Sequence, residues 1–201
     1  MRFNDLGMLS ALIVLSFSTT ALVAQCGELS NASSGELISY VDNTNLNKTT
    51  PGCIATSIEK LGNQKDESAI EVLTRRLDFA WPPRTGHPQR LNVHGQEEDV
   101  KAYPAAIALE QIGKSALPNL LKYIADGANA RIGRDVAISV WMKIHKSNAP
   151  YGVALLKKEA DSTKDIGTRQ RLNWAAFKAM SWCSTSERAD CESAAAAHYP
   201  Q

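Results

Sequence analysis

Ile112-Gly113-Lys114-Ser115-Ala116-Leu117-Pro118 returns as Ile144-His145-Lys146-Ser147-Asn148-Ala149-Pro150, at a constant offset of 32 residues, with helical patterns on both sides of each copy. A period of that size marks a row of helix pairs, each too small to bury its apolar face alone. Pro118 and Pro150 recur because each copy needs the same turn into its next helix.

Working outward, Leu120, Leu121 and Ile124 follow Pro118, and Asp126-Gly127 ends that helix. Val136, Ala137, Val140, Trp141 and Ile144 mark the next. After Pro150 come Val153, Leu155 and Leu156, then a helix from about Thr168 to Trp182 carrying Leu172, Ala176, Phe177 and Met180. Upstream, Ala105, Ala108, Leu109 and Ile112 make one face. Pro51 opens a helix with Ile54, Ile58 and Leu61, for which Gly62 reads as the stop. Ile70, Leu73 and Leu77 form another apolar face, with Arg75 and Arg76 on its wet side, and Leu37, Ile38 and Val41 give a short early stripe. The expected fold is all-α, a short α-solenoid of stacked antiparallel helix pairs. It spans residues 25–182, followed by a tail over 183–201 that becomes polar, then Ala-rich, and frays apart from any disulfide.

The helical pattern fails from Phe79 to Glu98. Trp81-Pro82-Pro83-Arg84-Thr85-Gly86-His87-Pro88 cannot continue a helix, because its prolines fix φ and remove backbone donors. This 79–98 segment reads as an insertion between the two helices of one repeat, and long loops of that kind often carry binding. Trp81, Arg84, His87, Arg90 and His94 are the candidate partner contacts, with Asn92 beside them; alternatively Trp81 folds back over the core. His87 and His94 lie near Glu97, Glu98 and Asp99, but their spacing matches no metal motif.

Residues 1–24 read as a secretory signal peptide. Leu6 to Gly27 holds no charge, and the apolar run Met8 to Phe17 leads to small residues ending at Ala24. Val23-Ala24-Gln25-Cys26 also resembles a bacterial lipobox, which would tether the chain through Cys26. Four cysteines in an exported chain point to two disulfides. Three connectivities are open; proximity favours Cys26 with Cys53 and Cys183 with Cys191. The formal net charge of +1 offers no field to recruit nucleic acid or an anionic membrane.

The repeated segments resemble HEAT repeats, in particular the HEAT-like variety named after phycobilisome lyases. Ala105-Ala106-Ile107-Ala108-Leu109-Glu110-Gln111-Ile112-Gly113 is a close match to the second helix of that repeat. Arg134-Asp135-Val136-Ala137-Ile138-Ser139-Val140-Trp141-Met142-Lys143-Ile144 is the next, with Arg134 at the family's basic position and His145 in place of glycine. Ile58 to Gly62 and Asn173 to Met180 are shorter echoes. The resemblance covers about Pro51 to Trp182 without the insertion and implies a scaffold more than a reaction. Arg131, Arg134, Arg169 and Arg171 fall at the starts of second helices. They form either a ladder for carboxylates of an acidic partner or structural pairs with residues such as Asp126 or Asp161.

The sequence thus describes a secreted or periplasmic monomer that holds a protein or peptide, with no cofactor, metal or catalytic motif. An enzyme or pigment-handling protein like the HEAT-like lyases is the alternative, and a lipid-anchored envelope element a third. Replacing Leu120 or Val140 with Asp is expected to unfold the array, a loss of more than about 4 kcal/mol for a charge placed in a packed core. Thermal melts followed by circular dichroism check this, and a folded variant that had lost only binding contradicts the core assignment.

Overall fold

The computed structural model describes residues 26–43, 50–82 and 100–196, and all their regular structure is helical. The proposed signal segment 1–24 and most of the 79–98 insertion lie outside the described residues. The α-helices are α1 (Ser34–Asp42), α2 (Pro51–Asn63), α3 (Ile70–Arg75), α4 (Pro104–Ile112), α5 (Leu117–Ala125), α6 (Arg131–Ile144), α7 (Ala149–Ser162), α8 (Ile166–Ala179) and α9 (Arg188–Ala196).

Local chemistry sets the starts of these helices. Ser33 and Glu36 cap α1 reciprocally, satisfying two N–H groups that an isolated helix end leaves open. Proline stands in the first turn of α2, α4, α5 and α7, where its missing donor costs nothing. Asn148 and Asp165 accept from the backbone N–H groups of Tyr151 and Thr168 at the starts of α7 and α8.

Within the chain α1 packs on α2, α3 on α4, α5 on α6 and α7 on α8. The second member of each pair also packs on the second member of the next, so that α2 meets α4, α4 meets α6 and α6 meets α8. Among the first members, α1 meets α3 and α3 meets α5, and α9 covers α7. One continuous core runs through these contacts, from Leu37 and Val41 through Leu109, Leu120 and Val140 to Leu156 and Leu172. The 32-residue echo therefore falls where the sequence places it, at the ends of α4 and α6.

Several details depart from expectation. Gly62 lies inside α2 instead of ending it. A Cβ there would sit 2.6 Å from Ala108 Cα, so the missing side chain is what lets α2 and α4 approach. Arg76 is half-buried instead of lying free on the wet side: its Nε and Nη2 donate to Val41 O at 2.9 and 2.7 Å, capping the end of α1. Phe177 is exposed instead of facing the core. The C-terminal segment is helical through Ala196 and docks on α7, with Cys191 buried.

Cys26 is bonded to Cys53, and Cys183 to Cys191. The first bond fixes the 3₁₀ turn Gly27–Asn31 to α2; the second closes the approach to α9. The Cys26 sulfur is engaged in this bond, and a lipid on the same sulfur would exclude it. Among the described residues no helix is long and apolar enough to cross a membrane.

Gly62→Val is expected to destabilise the fold by about 2–4 kcal/mol through overpacking against the α4 backbone. Gly35→Ala in α1, where nothing lies within 4 Å, should instead stabilise it by about 0.5–1 kcal/mol. Urea unfolding midpoints of the two variants and the parent check the opposite signs.

Candidate partner-binding face

Four arginines begin second helices, and the structure divides them. Arg134 donates to the backbone oxygen of Asn129, within its own turn. Arg169 donates through Nε and Nη2 to Thr163 O, just past the end of α7. Arg171 reaches Ala125 O, at the end of α5, at 2.6 Å. These three guanidinium groups thus serve carbonyls that helix and turn geometry leaves open. Asp161 pairs with Lys157, and Asp126 accepts from Ala128 N, so neither is the Arg134 partner that the sequence suggested.

Arg131 behaves differently. It is exposed, and its guanidinium carbon lies 5.5 Å from the centre of the Trp174 ring. Lys178 Nζ lies 4.7 Å from the same centre and forms a 2.9 Å ion pair with Asp135 Oδ2. Asp135 is buried, and its Oδ1 has no hydrogen-bond partner. The group joins α6 to α8: Asp135 holds Lys178, Lys178 and Trp174 lie together, and Arg131 rests on the indole with its charge toward solvent. A guanidinium braced on an aromatic ring keeps its planar donors ready for a carboxylate while losing little side-chain freedom on binding. Among the residues put forward from the sequence, Arg131 is the one placed in this cluster; Trp174, Lys178 and Asp135 were not put forward. The fold brings Asp135 and Lys178 together across 43 positions, and no periodic signal links residues at that separation.

At the insertion, Trp81 N donates to Ala102 O at 2.8 Å, so the chain leaves and re-enters the helical body at one point. Phe79 and Ala80 pack on the core, while Trp81 is half-buried. Arg84, His87, Arg90 and His94 lie outside the described residues.

Two buried titratable groups belong to the scaffold. Tyr123 lies against Gly133 between α5 and α6, where burial and the Asp78 carboxylate push its hydroxyl up to about 12. It is a neutral core phenol. His145, at the end of α6, is 8% exposed, packs against Trp141 and Tyr151, and has an unpartnered Nε2. Burial, aided by the Lys114 charge, holds its pKa below the ordinary 6.5.

A groove of about 260 Å³ opens between α7, α8 and α9, lined by Asn173, Ala176, Phe177, Met180, Glu192 and Ala195. Compared with known proteins, the chain matches no family model, no curated protein and no solved structure.

The His145 shift fixes the sign of a pH effect. Below pH 6.5 the unfolded chain takes up a proton that the folded chain refuses, so this contribution to stability is complete above 6.5 and declines as pH falls beneath it. His145→Gln is expected to flatten the slope of unfolding free energy against pH in that window, read from denaturant melts between pH 5 and pH 7. An unchanged slope means that other groups set it.

Proposed function

We propose that this chain is a short exported α-solenoid, similar to HEAT-like repeats, that holds a protein or peptide partner and catalyses no reaction. The row of second helices, α2 on α4 on α6 on α8, supports the solenoid reading, because each pair lends the next an apolar surface. Two disulfides support the export reading, since such bonds persist in oxidising compartments. The observation that carries the binding function is the exposed Arg131 braced on Trp174, where α6 crosses α8. Tryptophan and arginine are the residue types that most often anchor interfaces. The positive charge selects a carboxylate-bearing segment, and the insertion between α3 and α4 supplies a second contact.

Selection of a displayed peptide library on the immobilised protein tests this. Peptides rich in Asp and Glu should be enriched. Arg131→Glu, at an exposed position, should weaken their binding by at least about tenfold, and deletion of residues 81–96 should weaken it further. Equal binding by the parent and Arg131→Glu proteins, or enrichment of basic peptides, rejects the assignment.

A further inference from the structure

Ile166 and Phe177, 68% and 67% exposed, are two large apolar side chains on one helix, α8. Two other faces of α8 are engaged. Trp174 and Lys178 reach α6, and Leu172, Ala175, Ala176 and Ala179 are buried. Ile166, Gln170, Asn173 and Phe177 share the remaining stripe, at i, i+4, i+7 and i+11. In the row of second helices α4 covers α2, α6 covers α4 and α8 covers α6; beyond α8 the chain turns away, and α9 packs on α7.

That stripe reads the same in both directions: apolar, amide, amide, apolar, at steps of four, three and four. Two copies of α8 laid antiparallel across a two-fold axis therefore set Ile166 of each copy against Phe177 of the other, and Gln170 against Asn173. A self-complementary patch of this sort is what a two-fold interface requires. The groove of about 260 Å³ lies beside Phe177 and is bounded by Ala176, Met180 and Ala195, so Ile166 of the other copy has a socket to enter. The opposed amides can donate to and accept from each other. Charge agrees as well. Arg169, one turn from Ile166, is exposed while donating to Thr163 O, and Glu192 is exposed at the groove beside Phe177, so the pairing of Ile166 with Phe177 brings a cation toward a carboxylate.

We propose that a second copy of this chain docks antiparallel on α8, giving a two-fold homodimer in place of the monomer expected from the sequence. The contact is small by interface standards, so the dimer is weak and forms with rising concentration. It is argued from the α8 stripe without Arg131 and stands independently of the peptide-binding reading.

Sedimentation velocity from micromolar to millimolar protein tests it. The parent should pass from one chain to two. Ile166→Glu and Phe177→Lys should each raise the dissociation constant by at least about tenfold, with melting midpoints unchanged because both sites are exposed. Mixing these two variants should restore association, because the antiparallel register brings the two new charges together. A parent that stays monomeric throughout, variants that dimerise like the parent, or a mixture that fails to associate overturns the proposal.

Discussion

The close approach of the second helices is the constraint on which the rest of the structure depends. Gly62 faces Ala108 between α2 and α4, and Ala105, Ala137, Ala175 and Ala176 are all but fully buried along the later members of the row. Small residues let helix axes come near enough for the larger side chains behind them to interlock. Leu109, Leu120, Val140 and Leu156 are then buried by neighbours that none of the single pairs possesses. The core is consequently shared: one continuous set of buried side chains runs from Leu37 to Leu172 across all the pairs.

Cations complete what packing begins. Each helix ends in carbonyls without intrahelical partners, and here side chains from elsewhere in the fold supply donors. Arg76 closes α1, Arg171 closes α5, and Lys60 Nζ gathers the backbone oxygens of Leu29, Ser30 and Ala32 beside the first disulfide. These bonds fix the register between elements distant in sequence. A charge-assisted bond to a helix end also gains from the helix dipole. The near-neutral total charge hides this division of labour, since Arg76, Arg134, Arg169 and Arg171 are bound to the backbone while Arg131 remains exposed on Trp174.

Much of the scaffold was legible because periodicity reports burial directly. The apolar faces at Ile54, Ile58 and Leu61, and at Val136, Ala137 and Val140, are buried as their spacing requires, and proximity paired the cysteines correctly. Where reading failed, the cause was tertiary. Gly62 looks like a helix stop until a neighbouring backbone is seen beside it. Phe177 falls on a plausible helical face, yet the core of α8 is centred on its alanines and Leu172, and the aromatic ring is left on the edge. Ala-rich α9 has weak apolar periodicity, and its place on α7 comes with a single buried cysteine. The candidate site was half legible: Arg131 stands out at the start of α6, whereas Trp174 and Asp135 acquire meaning only where two helices cross.

The hydrogen bond between Trp81 N and Ala102 O works as a doorway. The chain on the two sides of the 83–99 segment is thereby held at one spot on the body, and Val100, just before Ala102, is already buried in the core. Each doubling of such a loop adds only about 0.6 kcal/mol of closure entropy. With its two ends pinned together in this way, a change in the length of the 83–99 segment asks little of the helices on either side.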